Sequence, residues 1–588
     1  MRLRLRFTLL ATALAFVCLA AAQVPGASAG DDDADWTGTW SFTDNCIKGI
    51  SGCPGTYYFT ITFVQTGTSV VGTGSPYTST GTASGSTHNF TVKGSPPYTA
   101  TFHMTMSKDG KSAEGDATDS DGRVFKITAT GNGKPAKTVR PDGIDWTVPD
   151  RLASQVSDWT ASEGLPPIKD VYPGRWPASV FLTSGDKPFA CPGSRRYRWE
   201  VDPPSGAKVL DRPQPGCKTR FVADRLGRYR VTPIEQKQRN GRWVDLKRLP
   251  AKPVVLHDWL ITAFGDSNGS GEGNGPFEFT RCNRSLTSYQ YRTAEALEKS
   301  DRRTSVTLIW PSCSGAVIEH LDEISYSGIN AGSAPLPPQI RQVANLVTRP
   351  SGPGPRREPE RKVDAAIVSA GVNNIAFGPT IGGCVKTLPA PCEGQLVRRD
   401  PASGPRVKRF VADPAGVAVR DRVTGLIGAL PKSYDGLARA FARKLDDSGG
   451  GTLGVRADHV FITRYPDFTT DDAGNTCVGG VGTGNWPQST WQFFDVAGQA
   501  LNRQVTAAGQ RHGWTVVDLG TAFTGHGYCA SDSYIKGVFG TSLLELNIAG
   551  PFHPNRRGHG ITAAATTSAL CGRLYGNPDC SGKPPALR

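Results

Sequence analysis

Four short stretches of this 588-residue chain carry the residue types of a nucleophilic acyl-transfer site. The first is Gly265-Asp266-Ser267-Asn268-Gly269, at the end of the apolar run DWLITAF. Glycine at such a place costs backbone entropy and fills no core. A serine flanked there by an acid and glycines reads either as an ordinary loop with a helix cap or as a nucleophile held on a tight turn. The other stretches are PSCSGA (311–316), SAGVNNIAFG (369–378) and GPFHPNRRGHG (550–560). A serine hydroxyl is a poor nucleophile until a base takes its proton. Imidazole titrates near neutrality, so His553 is the natural base. Attack on an ester carbonyl makes an oxyanion that needs donors fixed in place. The backbone N–H groups of Ser267 and Gly315 and the side-chain amide of Asn373 are donors of the right kind. Glycine at 315 also lets backbone approach a substrate closely.

Each role has a competitor. Ser270 is a second hydroxyl in the first stretch, and His526 and His559 are alternative bases. His526 stands shortly before Cys529 and reads as structural. His559 reads as part of the first turn of a terminal helix. Asn373 has Asn374 beside it, and an Asn pair also suits a turn or helix cap. Asp266 reads as a brace that accepts loop N–H groups.

These residues need a scaffold that brings distant stretches together. From 258 onward, DWLITAF, SVTLIW (305–310), VDAAIVSA (363–370), DHVFIT (458–463) and TVVDL (515–519) are near-continuous apolar runs. Strands buried on both faces have that texture. Helical patterns follow the first four runs: TSYQYRTAEALEKS, PPQIRQVANLVT, VTGLIGALPKSYDGLARAFARKLDD and STWQFFDVAGQALNRQVTAAGQRHG. Pro431 is expected to interrupt the third. Alternating strands and helices predict a parallel sheet with helices on both faces, and ligands bind at the carboxyl ends of such strands. Ser267 sits at the carboxyl end of the first. G-x-S-x-G also matches the α/β-hydrolase elbow, but that fold places several strands of its domain before the serine. Here Ser267 follows the first strand.

The four stretches, in this order, resemble the four blocks of the GDSL or SGNH hydrolases. GDSNGSGEGN…RCNRSLTSYQYRTAEAL is similar to the secreted actinobacterial lipase and esterase branch, and the resemblance covers about residues 257–575. It implies a three-layer α/β, flavodoxin-like catalytic domain with Ser267 as nucleophile, His553 as base, and Ser267, Gly315 and Asn373 as the oxyanion hole. It implies no metal and no cofactor. The pairs Cys282/Cys313, Cys384/Cys392 and Cys477/Cys529 resemble the branch's disulfides. The family commonly has Asp three residues before the histidine, where this chain has Gly550. Some members of the branch use a backbone carbonyl instead. The expectation is therefore a Ser-His dyad with the Gly550 carbonyl orienting His553. Lipid or fatty-acyl esters are the expected substrates, and acetyl esters on polysaccharide the alternative. A binding protein with an inactive hydrolase domain is the alternative of another class, supported by the absent Asp.

The upstream half reads differently. Residues 1–29 have a basic front (Arg2, Arg4, Arg6), an apolar middle and Ala27-Ser28-Ala29, the pattern of a secretory signal peptide. No later stretch is long and apolar enough to cross a bilayer, so a secreted, extracellular protein is expected. Residues 30–138 alternate as YYFTITFV, THNFTV, YTATFHMTM and VFKITAT and predict a small β-sandwich or barrel. Trp36, Trp40, Tyr57 and Tyr58 could form a carbohydrate platform, with packing the favoured reading. Residues 139–165 read as a linker and 166–253 as an immunoglobulin-like β domain with Trp199 and the Cys191/Cys217 pair. Residues 254–588 are the catalytic domain. The expected fold is thus multidomain, two all-β domains before an α/β one. The β domains are candidates for polysaccharide or cell-surface binding.

Cysteine count and charge narrow the partners. Of thirteen cysteines, Cys18 falls in the signal segment and twelve remain. Export and an even count predict sequential disulfides: Cys46-Cys53, Cys191-Cys217, Cys282-Cys313, Cys384-Cys392, Cys477-Cys529 and Cys571-Cys580. No pair has the CxxC spacing of a zinc site. The net charge of +14 falls to +11 without the three signal-segment arginines. It is spread over loops such as RPSGPGPRREPERK (349–362), which read as solvated. No nucleic-acid-binding motif is present.

Overall fold

The computed structural model describes residues 34–580 apart from 49–52, 67, 95–97, 132, 134–140, 160–162, 192–194, 331–333, 351–356, 360, 388, 401–406, 408, 444–452, 480–485, 520 and 538–549. The signal-peptide reading of 1–29 lies outside the described residues. The chain divides into two compact units. One holds the residues up to Ile144 with Phe181–Tyr197 and Glu235–Lys247. The other holds Asp145–Val180, Arg198–Ile234 and the chain from Arg248 onward.

The first unit contains a closed barrel of eight antiparallel strands, from Gly38–Lys48 to Val124–Gly131. The last strand pairs back with the first, Phe42 opposite Ala129. The period-two pattern builds it. Trp40, Phe42, Phe63, Phe90 and Phe102 point inward and are buried, while Thr39, Thr62, Thr80, Thr101 and Thr128 face out. Closure leaves no strand edge unpaired. Trp36 and Trp40 are core residues at 0% exposure, so they form no platform. Of the four aromatics considered for one, Tyr57 and Tyr58 reach the surface.

The second unit has a parallel sheet core of β1 (Lys252–Gly265), β2 (Thr304–Ile309), β3 (Ala365–Ser369), β4 (Val460–Thr463) and β5 (Thr515–Val517). The spatial order is β2-β1-β3-β4-β5, the flavodoxin-like order. The helices are α1 (Tyr289–Ser300), α2 (Gln339–Val347), α3 (Val419–Ala442), α4 (Gln488–His512) and α5 (Arg556–Leu574). On one face Leu260, Phe264, Val368 and Ile462 meet Val343, Leu437 and Leu501 from α2, α3 and α4. On the other, Ile261, Ile367 and Phe461 meet Ala294 and Leu297 of α1 and Leu570 of α5. The helix α3 runs unbroken through Pro431, contrary to the expected interruption.

Two expected boundaries are corrected. The first half of β1 pairs antiparallel with the strand Gly227–Arg239, Gly227 opposite Leu256 and Val231 opposite Lys252. Its second half pairs in parallel with β2 and β3. One strand therefore crosses the boundary expected at 253/254, and 166–253 is not a separate immunoglobulin-like domain. Within the segment expected as a linker, 139–165, Leu152 and Trp159 enter the core of the second unit. Trp159 is fully buried with ring centroids 5.9 Å from Phe279 and 6.4 Å from Trp310. Arg151 pairs at 2.9 Å with the buried Asp258 of β1, which also pairs with Arg361. A carboxylate buried without such partners would be costly.

Disulfides join Cys46 to Cys53, Cys282 to Cys313, Cys384 to Cys392, Cys477 to Cys529 and Cys571 to Cys580. Cys191 and Cys217 are also disulfide-bonded.

Candidate active site

The end of β1 is built around Gly265. Its φ is +143°, and a Cβ there would stand 2.2 Å from the Ser369 carbonyl oxygen of β3. Only glycine fits so close to the neighbouring strand. The chain then turns into a one-turn helix, Ser267–Ser270, capped by Asp266, whose carboxylate accepts from the Asn268 N–H at 3.1 Å. Ser267 is thereby lifted above the carboxyl end of the sheet. Asp266 is fully buried and accepts from Ser369 Oγ at 2.9 Å and from the Tyr465 hydroxyl at 2.5 Å. Burial pushes its carboxyl up to about 6, against the pull of these bonds.

His553 meets this turn from the loop before α5. Its Nε2 lies 2.8 Å from Ser267 Oγ. Its Nδ1 lies 3.3 Å from the carbonyl oxygen of Pro551, and the Gly550 carbonyl accepts instead from the His553 backbone N–H at 3.3 Å. The Gly550 expectation is thus corrected by one residue: the turn Gly550–His553 uses that carbonyl to close itself. The two loops are bound together. Asn274 donates from Nδ2 to the Pro554 carbonyl at 3.1 Å, and Gly273, with φ +91°, leaves 3.0 Å between its absent Cβ and His553 Cβ.

Gly315 has φ +80° and lies in the loop after β2. Cys313 donates its backbone N–H to the Gly265 carbonyl at 2.9 Å, and Ser314 donates to the Cys282 carbonyl at 3.0 Å. The backbone N–H groups of Ser267 and Gly315 make no hydrogen bond among the described residues. Asn373, after β3, donates one amide hydrogen to the Ala316 carbonyl at 2.9 Å and keeps the second. Asn374 is committed elsewhere, accepting from the Ile318 N–H and donating to Glu319, both at 2.9 Å.

The competing residues are occupied. The hydroxyl of Ser270 is buried and donates to the Ser267 carbonyl at 3.2 Å. His559 lies fully buried in α5, with Nδ1 accepting the Tyr289 N–H at 3.3 Å. Burial pushes its imidazole down to about 3. His526 has Nδ1 2.9 Å from the Asp532 carbonyl and stacks on Tyr534 at 3.9 Å.

Sequence reading passed over Glu272. Its carboxylate is fully buried, accepts from Ser314 Oγ at 2.5 Å and from Asn283 Nδ2 at 3.0 Å, while its N–H donates to the Ser267 carbonyl at 3.0 Å. It ties the Ser267 turn to the Gly315 loop. The available signal was an acid in an otherwise small-residue run, SGEGN.

Beside Asn268 and His553 opens a cleft of about 390 Å³. Val372, Phe377, Phe468, Phe494, Leu501 and Phe552 give it apolar walls, and Arg464, Asp467 and Asp495 add charge. Among the described residues no group of three or more His, Cys, Asp and Glu could hold a metal, and no helix is long and apolar enough to cross a membrane.

Several known proteins share sequence or structure with this chain. Lipase 1 of Streptomyces coelicolor is 24% identical over 310 residues, spanning 52% of this chain and 84% of that protein. The extracellular lipase of Streptomyces rimosus aligns in structure at 19% identity and TM-score 0.35, over 53% of this chain and 99% of the other. Phospholipase A1 of Streptomyces albidoflavus aligns at 18% identity and TM-score 0.31, over 51% and 94%. The GDSL-like lipase/acylhydrolase family profile matches residues 263–561, half of the chain. This chain belongs to the GDSL-like lipase/acylhydrolase family and is a carboxylic-ester hydrolase.

Proposed function

We propose that the protein cleaves esters of apolar acyl groups through an acyl-serine intermediate, with Ser267 and His553 as a dyad. The carrying observation is the 2.8 Å contact of Ser267 Oγ with His553 Nε2 at the mouth of an apolar cleft. His553 takes the hydroxyl proton as Ser267 Oγ attacks the carbonyl carbon. The Ser267 and Gly315 N–H groups and the free hydrogen of Asn373 Nδ2 receive the developing oxyanion. His553 then protonates the departing alcohol, and a water activated by the same imidazole releases the acid. The Pro551 carbonyl favours the tautomer with the proton on Nδ1, which leaves Nε2 free to act as base. A neutral carbonyl stabilises the imidazolium less than a carboxylate does.

The export reading of residues 1–29 is joined by disulfides in both units. Bonds of that kind persist in oxidising compartments, and extracellular action is the setting we propose.

The test combines a fluorophosphonate probe with p-nitrophenyl esters of increasing chain length and acetylated xylan. Labelling at Ser267, its loss in Ser267→Ala and a preference for chains longer than acetyl are expected. Labelling at another serine would overturn the site. A preference for acetylated xylan would replace the acyl assignment with deacetylation of polysaccharide.

A further inference from the structure

Phe552 holds an unusual backbone beside the base. Its φ is +66°, in the left-handed region that a bulky side chain avoids. Such a conformation persists when its surroundings over-determine it. Here two near-parallel rings stack on the Phe552 ring: Trp486 at 5.2 Å and 4°, and Tyr528 at 4.8 Å and 21°. Phe468 meets it edge-on at 5.7 Å and 70°. Tyr528 is fixed in turn by its neighbour Cys529, which is bonded to Cys477. The backbone on either side of the ring is laddered to one segment. Phe552 donates its N–H to the Lys536 carbonyl at 3.0 Å, and Lys536 donates to the His553 carbonyl at 2.8 Å. Left-handed φ at 552 sets the direction in which the chain leaves for His553, and hence where the imidazole stands relative to Ser267.

We propose that Phe552 is a positioning residue for His553: the aromatic stack from Trp486 and Tyr528 locks the left-handed turn that aims the imidazole at Ser267. This inference rests on the reading of His553 as the base. Phe552 is 5% exposed and also lines the apolar cleft. Part of the substrate pocket wall is thereby the support of the base, and a substrate seated on that wall presses on the element that fixes the imidazole. Leucine at 552 would keep an apolar side chain and the unfavourable φ but remove the ring that the stack grips. Tyrosine would keep the ring.

The experiment measures kcat and KM on p-nitrophenyl acetate for Phe552→Leu, Phe552→Tyr, His553→Ala and the Phe552→Leu/His553→Ala double variant, with near-UV circular dichroism on each. Phe552→Leu is expected to lower kcat by about tenfold or more with KM changed less than about twofold, because a small misplacement of a catalytic group is costly. Phe552→Tyr is expected to recover most of that loss. In the His553→Ala background the Leu change should remove no further activity, because its effect passes through the imidazole. A raised KM with unaltered kcat would make Phe552 a pocket wall alone and overturn the proposal. So would a further fall in residual kcat when Phe552→Leu is added to His553→Ala. If Phe552→Leu does not fold, Trp486→Leu removes one stacking ring while leaving residue 552 intact, and unimpaired kcat in that folded variant overturns the proposal. Full activity of His553→Ala would sink the base assignment itself. An inactive His553→Ala beside an unimpaired Phe552→Leu would sink this inference alone.

Discussion

The hydroxyl of Tyr465 donates to the buried carboxylate of Asp266 at 2.5 Å, directly beneath the Ser267 turn. Burial raises the Asp266 carboxyl from 3.8 to about 6. The folded chain therefore holds this proton more tightly than the unfolded one. The stabilising share of Asp266 is complete below pH 3.8 and is lost as pH rises through about 6. Its full size is on the order of 3 kcal/mol. Urea unfolding of the protein and of Asp266→Asn between pH 4 and 7.5 should show the parent losing stability relative to the variant across that window. A pH-independent difference between the two would show that Asp266 does not titrate there.

Glu272→Gln should weaken oxyanion stabilisation without abolishing it. The carboxylate accepts from both Ser314 Oγ and Asn283 Nδ2, and an amide oxygen replaces only part of that acceptance. Loss of a complete oxyanion donor costs about 10²–10³ in kcat, so loosening the Gly315 loop should cost about tenfold. Steady-state kinetics on a short soluble ester provide the check. An unchanged kcat in the folded variant would remove Glu272 from the positioning of that loop.

Asn373→Ala and Asn374→Ala should separate chemistry from structure. Asn373 spends one amide hydrogen on the Ala316 carbonyl, and if the other serves the oxyanion as proposed, its loss should lower kcat by about 10²–10³ with little change in melting temperature. Asn374 is spent on Ile318 and Glu319, so its loss should lower the melting temperature and affect kcat less. The reverse pattern would exchange their roles.

Gly265→Ala should destabilise the second unit by about 3 kcal/mol or more, since the new methyl would collide with the Ser369 carbonyl at a φ that L-residues rarely adopt. Chemical denaturation would measure it. A change under about 1 kcal/mol would mean that β1 and β3 separate easily at their ends.

A chain beginning at Ala251 should be insoluble or inactive, because it lacks Arg151 and Trp159, which complete the core around β1 and β2. A chain beginning near Pro141 retains both and should hydrolyse small esters. Activity from the shorter chain would show that the 145–180 segment is dispensable.

Burial on both faces makes some elements plain in the sequence, and long-range packing hides others. Strands such as Thr304–Ile309 and Ala365–Ser369 announce themselves because burial on both faces forces continuous apolar residues. The pairing of Ser267 with His553 could be anticipated because few residue types suit a nucleophile and its base, and the structure brings the two within 2.8 Å. Trp159 is not legible: its partners Phe279 and Trp310 lie far along the chain, and the residues around it look like a loop. Glu272 is hidden for the same reason, since its partner Ser314 sits in a different stretch. The choice between the Gly550 and Pro551 carbonyls depends on how a tight turn closes on itself, which residue identity does not state.

The double membership of β1 has a consequence for the order in which the chain organises as it is synthesised. The register Val231 to Lys252 closes a short loop, whereas Ile261 to Ala365 must close one of about a hundred residues. The antiparallel ladder involves residues made before Ser267 leaves the ribosome, while the parallel partners of β1 are made after it. This antiparallel pair can therefore form first, and later strands find their register on it as they emerge. The strand that leads into the Ser267 turn is then also the template against which the rest of the sheet is laid.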